Sequence, residues 1–91
     1  MKSRAIVTVI GKDSVGIIAR VADLLSAEGV NIEDISQTVL QDYFVMIMMC
    51  DITAARCDIG ALGGKLDELG KRIGVSARIQ HEDIFNSMHR I

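Results

Sequence analysis

The stretch that decides the fold is YFVMIMMC, residues Tyr43 to Cys50, a run of apolar and amphipathic residues without a charge. The run is far too short for a membrane helix, which needs roughly 20 apolar residues. Successive side chains of a strand point to opposite faces, so apolar residues at every position predict a strand that is covered on both faces. We therefore expect Tyr43 to Cys50 to lie inside a sheet.

Upstream of this strand the sequence predicts three further elements. The β-branched run RAIVTVI, from Arg4 to Ile10, is typical of a strand and stops at a glycine. From Val15 to Glu28, apolar residues recur at three- and four-residue spacing and predict a helix, which we expect Ser14 to cap. The segment Asn31 to Leu40 is more polar and does not alternate cleanly, which favours a bulged edge strand.

Downstream, apolar residues from Ile59 to Ile73 return at helical spacing and predict a second helix that ends at Gly74. The segment Val75 to Gln80 alternates apolar and polar residues, as a half-exposed strand does. Each glycine inside a helix costs about 1 kcal/mol relative to alanine. We interpret the helix glycines as tolerated weakness, with close approach of another backbone as the less favoured reading: Gly60, Gly63 and Gly64.

The order βαββαβ predicts an α+β fold, the ferredoxin-like sandwich, with a four-stranded antiparallel sheet and two helices on one face. We expect one domain over residues 4–80 and a C-terminal helical tail over residues 81–91. Asp83 can cap this short helix, whose apolar residues share one side: Ile84, Phe85, Met88 and Ile91. Because both helices cover the same face, a partner chain or the tail must cover the other.

Composition narrows the function. A 91-residue chain that is 49% hydrophobic, with a mean hydropathy of +0.32, has apolar surface to spare for a partner, so we expect a homodimer or a higher homo-oligomer. A net charge of −2 and three aromatic residues argue against nucleic-acid binding. No membrane or targeting segment is visible, and Cys50 and Cys57 are expected to be reduced thiols in the cytoplasm.

The segment GKDSVGI, from Gly11 to Ile17, joins the first strand to the first helix. The free backbone N–H groups of Val15, Gly16 and Ile17 are expected to point into this loop and to favour an anion. Asp13 offers a carboxylate to an ammonium group, so an α-amino acid would match the loop at both ends. An ordinary helix start explains the same residues equally well at this stage.

The loop GKDSVGI, followed by the VNI of Val30 to Ile32, resembles the ACT domain over about Arg4 to Gln80. In that family the loop commonly reads G-x-D-x-P-G followed by an aliphatic residue, and an asparagine with an aliphatic residue enters the second strand. Val15 stands where the family commonly has proline. The segments Asp34 to Phe44 and Gln80 to Ile91 further resemble a stand-alone, single-domain ACT group of prokaryotes. The residues that fit the family pattern are Gly11, Asp13, Gly16, Ile17, Asn31 and Ile32.

The resemblance implies a regulatory module that binds an amino acid or a similar small molecule between two domains paired side by side. It requires no cofactor. The polar edge strand is suited to such pairing, because it can add main-chain hydrogen bonds across a twofold axis. The ligand-binding residues that we predict are Gly11, Lys12, Asp13, Val15, Gly16, Ile17, Asn31 and Ile32.

Three other functions were weighed. A pure association module would keep the fold and the dimer without a ligand. A metal site could use His81 and His89 with the acidic residues Glu82 and Asp83, but their spacing matches no strong metal motif, and we interpret them as structural. Catalysis requires a nucleophile with a base, or paired acids in a pocket, and neither can be assembled from neighbouring elements, so we expect a protein that is not an enzyme.

Overall fold

The computed structural model describes residues 3–12 and 16–84. Within them, no helix is both long and apolar enough to cross a membrane. Residues 82–84 adopt helical conformation after the last strand, where the C-terminal helix was predicted. The six longer elements are β1 (Arg4–Lys12), α1 (Ile17–Ala27), β2 (Asn31–Leu40), β3 (Tyr43–Asp51), α2 (Ile59–Ile73) and β4 (Val75–His81).

The four strands form one antiparallel sheet in the order β2-β3-β1-β4. β1 and β3 are therefore central, and β2 and β4 are the edges. Along the central pair, Arg4 lies opposite Asp51 at one end and Lys12 lies opposite Tyr43 at the other. The predicted α+β, ferredoxin-like fold is confirmed, as is the assignment of the two most apolar runs to the middle of the sheet.

The core lies between the sheet and the two helices. Alternate residues of β1 and β3 are buried there, and α1 and α2 bury one apolar stripe each. The opposite face of the sheet is less protected: Ile47 is 48% exposed and Ile10 is 46% exposed. The largest fully buried side chains are Leu25, Met46, Met48, Leu62, Leu66, Val7, Val9, Val21 and Cys50.

β2 is the bulged edge strand that its polar sequence predicts. Ile32 lies opposite Cys50, but Asp34 lies opposite Met49, so the register shifts by one residue at Glu33. Every β2 residue except the half-buried Ile32 is exposed. The strand pairs with β3 on one side, and within the described residues no other strand pairs with its outer side.

The helix starts differ in part from the prediction. α1 begins at Ile17 rather than Val15, and its N-cap residue is Gly16 rather than Ser14. Ser14 lies outside the described residues. Gly16 has φ 89°, in the left-handed region that favours glycine.

The glycines of α2 separate into two kinds. A Cβ atom at Gly64 would meet nothing within 4 Å, and at Gly60 and Gly63 it would make ordinary contacts at 3.5 and 3.6 Å. The interpretation of these three as tolerated weakness is therefore supported. The close backbone approach occurs at Gly70, where a Cβ atom would lie 2.5 Å from the carbonyl oxygen of Val75.

Replacing Gly16 should test its left-handed conformation directly. Gly16→Ala is expected to lower the free energy of unfolding by about 1 kcal/mol, because a Cβ atom disfavours this conformation. Gly16→Asn should cost less, since asparagine tolerates the left-handed region better than alanine does. Thermal unfolding without added amino acids measures both variants. Equal losses would show that the conformation is not the reason for glycine at this position.

Candidate functional site

The N-terminus of α1 opens toward the end of β1. Arg20 makes the first backbone bond of this helix, donating to the carbonyl oxygen of Gly16 at 3.0 Å. The amides of Ile17, Ile18 and Ala19 precede it and have no acceptor within the helix. A Cβ atom at Gly16 would meet nothing within 4 Å, so space is open beside these donors. This helix end therefore offers the N–H groups and the positive dipole end that a carboxylate prefers.

The predicted loop residues differ in what they offer a ligand. The Ile17 side chain is only 3% exposed and belongs to the core, so its backbone amide alone can face a ligand. Gly11 lies opposite Val75 in the sheet, and a Cβ atom there would come within 2.5 Å of the Val75 Cγ1 atom. Lys12 is exposed at the end of β1. The other two predicted loop residues, Asp13 and Val15, lie outside the described residues.

Asn31 and Ile32 lie at the opposite end of the sheet from this loop. Asn31 lies opposite Asp51, which lies opposite Arg4, the first residue of β1. The loop follows Lys12, the last residue of that strand, and the eight steps from Arg4 to Lys12 span roughly 26 Å. One chain therefore does not bring Asn31 to the helix N-terminus. The Asn31 side chain is exposed at its own end, and Ile32 packs against the core.

A polar cluster joins the end of α1 to α2. Glu28 accepts a hydrogen bond from the Lys65 Nζ atom at 3.0 Å and one from the Cys57 Sγ atom at 3.4 Å. The bond from Lys65, followed by that from Cys57, lowers the pKa of Glu28. Burial and then the bond to Glu28 raise the pKa of Cys57. Because a nucleophilic cysteine needs a lowered pKa, this arrangement holds two helices together and does not activate the thiol.

His81 is held within its own chain through both ring nitrogens. Its Nε2 atom lies 3.0 Å from the Ser3 Oγ atom, and its Nδ1 atom accepts a hydrogen bond from the Asp83 amide at 3.1 Å. A metal ion bound by His81 would have to replace one of these contacts. Among residues 3–12 and 16–84, no three side chains of the metal-ligating types are grouped to hold an ion. His89 lies outside the described residues.

Comparison with known families agrees with the fold and the loop. The family model of the ACT domain matches residues 3–80, most of the chain. The chain belongs to the ACT domain family. ACT domains are regulatory, ligand-binding modules, and the resemblance of the loop and of the second strand to this family is thereby confirmed.

This ACT domain is similar over nearly its whole length to single-domain bacterial proteins. It is 52% identical over 88 residues to a UPF0237 protein of Clostridium acetobutylicum, covering 97% of this chain and 99% of the relative. It is 53% identical over 89 residues to a UPF0237 protein of Bifidobacterium longum, covering 98% and 99%. Among solved structures, an ACT domain protein from Streptococcus pneumoniae superposes with a TM-score of 0.83 at 38% identity, covering 93% of this chain and 96% of that one.

The sheet register adds two residues to the loop end of the ACT domain that sequence reasoning did not select. Lys12 lies opposite Tyr43, and Tyr43 lies opposite Leu40 on the edge strand. Both side chains are more than half exposed, Tyr43 at 52% and Leu40 at 60%. The signal for them was the short hairpin turn at Gln41 and Asp42, which returns the chain to the end of the sheet where β1 stops.

Proposed function

We propose that this ACT domain is a non-catalytic regulatory module that binds an amino acid as a homodimer, with each ligand held between two chains. The observation that carries the proposal is the separation of the predicted site within one chain. The helix N-terminus and Asn31 lie at opposite ends of one sheet, and the exposed edge strand β2 runs between those ends.

Pairing of two β2 strands brings the separated halves together. If the strands pair antiparallel about a twofold axis near Ile35 and Ser36, the Asn31 end of one strand lies beside the Leu40 end of the other. Leu40 shares its row of the sheet with Tyr43 and Lys12, which precede the loop. Each helix N-terminus would then have a partner's Asn31 within its neighbourhood, and the dimer would contain two equivalent sites.

The exposed side chains of β2 support this interface. Ile35 is 41% exposed, Val39 is 59% exposed and Leu40 is 60% exposed, on a strand whose outer main-chain groups are available for pairing. An exposed edge with apolar residues is a template for another strand. Pairing would satisfy these main-chain groups and remove the apolar side chains from water.

The chemistry of the two halves matches an α-amino acid. The amides of Ile17 and Ile18 suit the carboxylate, and Asp13 supplies a carboxylate for the ammonium group. A partner's Asn31 has an amide group that can both donate and accept hydrogen bonds. Because the ligand would touch both chains, binding would favour one subunit arrangement over another, and such a module can act without chemistry.

A second candidate is an association module that uses the same dimer and binds no ligand. The exposed apolar residues of β2 favour it independently, since they explain pairing without reference to the loop. Thermal unfolding in the presence of each amino acid separates the two functions. A ligand that binds only the folded dimer must raise the melting temperature, whereas an association module shows no shift.

Complementation between two defective variants should test whether the site is shared. Asp13→Ala and Asn31→Ala are each expected to lose the stabilisation by an amino acid that a screen of the parent protein identifies. In a mixed dimer, the loop of the Asn31→Ala chain meets the intact Asn31 of the other chain. An equimolar mixture after subunit exchange should therefore recover binding at roughly one quarter of the sites. Isothermal titration calorimetry measures this fraction.

The matched control mixes Asp13→Ala with Lys12→Ala. Both changes lie on the loop half of the site, so no mixed dimer contains an intact site and no recovery is expected. Recovery in neither mixture would contradict a shared site, even if both single variants fail to bind. Light scattering on each mixture confirms that dimers are present during the titration.

A further inference from the structure

The face of the sheet opposite the helices is apolar in its middle. On β3, Val45 and Met49 are half-buried and Ile47 is 48% exposed, and Ile6 on β1 is half-buried beside them. A shallow depression of about 170 Å³ lies on this face, lined by Asp34, Ser36, Ile47 and Met49. The proposed pairing of β2 strands uses the edge of the sheet and leaves this open face uncovered.

We propose that residues 85–91 of the same chain cover the open face, with their C-terminal part in the depression beside Asp34. Among the described residues, the chain leaves the sheet at His81, opposite Ala5. One residue earlier, Gln80 lies opposite Ile6, which lies opposite Met49, which lies opposite Asp34. The tail therefore starts at the level of the sheet at which the depression lies.

The length of the tail fits the distance to be crossed. From β4 to the depression between β3 and β2 the path crosses two to three strand spacings, roughly 10–14 Å. The seven residues after Ile84 span about 10 Å as a helix and up to about 23 Å when extended. Ile84 itself is 46% exposed, so the last described residue already carries apolar surface that is not covered.

The chemistry of the tail matches the face along its length. In the predicted helix, Phe85, Met88 and Ile91 share one side and would meet the apolar residues of β1 and β3. His89 and Arg90 lie near the end of the tail, and residues 85–91 contain no acidic side chain. The exposed carboxylate on this face, Asp34, lies on β2, the strand farthest from the start of the tail. The basic end of the tail thus reaches the acidic side of the sheet.

The turn that starts the tail is held in place. His81 contacts Ser3, which precedes β1, and accepts the Asp83 amide, which follows β4. The first residues of the tail are therefore tied to both strands beside the open face. Fixing this end reduces the chain entropy that docking of the remaining residues must overcome.

Disulfide trapping in the full chain tests the proposal. In a Cys57→Ala background, Ile47→Cys combined with Met88→Cys is expected to form an intrachain disulfide under mild oxidation. Ile47→Cys combined with Asn86→Cys, on the wet side of the tail, should react at least about tenfold more slowly, because a disulfide requires Cβ atoms about 4 Å apart. A non-reducing gel distinguishes a faster-running monomer from a linked dimer.

Two results would overturn the proposal. A linked dimer from the Ile47 and Met88 pair would show that a second copy supplies the cover, and equal rates for the two pairs would show that the tail is elsewhere. An independent measurement compares Met88→Asp with Asn86→Asp by binding of the dye ANS, a probe of exposed apolar surface. We expect a several-fold rise in dye fluorescence for Met88→Asp alone, and no difference between the variants would also contradict the proposal.

Discussion

Gly70→Ala is expected to lower the free energy of unfolding by about 2–3 kcal/mol, although alanine is the better helix former. In the folded protein the new Cβ atom would lie 2.5 Å from the carbonyl oxygen of Val75, a backbone atom that cannot rotate away. One residue, Gly74, separates α2 from β4, so neither element can shift without moving the other. Overpacking of this kind costs about 1–3 kcal/mol, and a small domain has few kcal/mol to lose.

The matched control for this prediction is Gly64→Ala in the same helix. A Cβ atom at Gly64 meets nothing within 4 Å, so the helix propensity of alanine should stabilise the protein by up to about 1 kcal/mol. The two identical substitutions should therefore change stability in opposite directions. Urea unfolding followed by circular dichroism measures both. A stable Gly70→Ala variant would mean that α2 and β4 can separate at little cost.

Cys50 is expected to react with a thiol reagent at pH 8 only when the protein unfolds. Its side chain is fully buried, and burial raises its pKa from 9.0 to about 11. A rise of two pKa units reduces the thiolate, the reactive form, by about 100-fold, and burial adds a barrier to the reagent. Because the folded-state pKa lies above the unfolded value, deprotonation favours unfolding, so stability should fall as pH rises from 9 to 11.

The Cys57→Ala variant isolates this thiol for measurement. Its labelling by an aromatic disulfide reagent should be at least about 100-fold slower in buffer than in concentrated guanidinium chloride, where the thiol is free. A variant that keeps Cys57 and has Cys50→Ala serves as the comparison, because Cys57 is only half-buried. Fast labelling of Cys50 in the folded protein would show that β3 opens locally.

The central part of the fold was predictable because its residues agree with one another at every level. The eight apolar residues of Tyr43 to Cys50 need cover on both faces, and the polar segment Asn31 to Leu40 needs a sheet edge, so the order of strands follows from both. Gly70 was not selected, because in the sequence it is one more glycine in a helical pattern. The close approach of Val75 arises from how α2 packs on β4, which no local pattern records.

The candidate site was predictable in its residue types and only partly in its arrangement. The loop from Gly11 to Ile17 was recognised from its free helix N-terminus and its family pattern. That Ile17 is a core residue follows from the helical phase of α1, which begins two residues later than predicted. The distance between the loop and Asn31 could not be read from the sequence alone, because it depends on the register of three paired strands.

The placement of Asn31 and the loop at opposite ends of one sheet has a consequence for how such a sensor would operate in a cell. A site that forms only where two chains meet is absent from a lone chain, so the number of working sites would rise more steeply than the number of chains at low abundance. The synthesis rate of the protein would then set a threshold for detection, separate from the affinity of each site. A cell could silence the response by lowering expression a few-fold, with no change in the amino acid that is sensed.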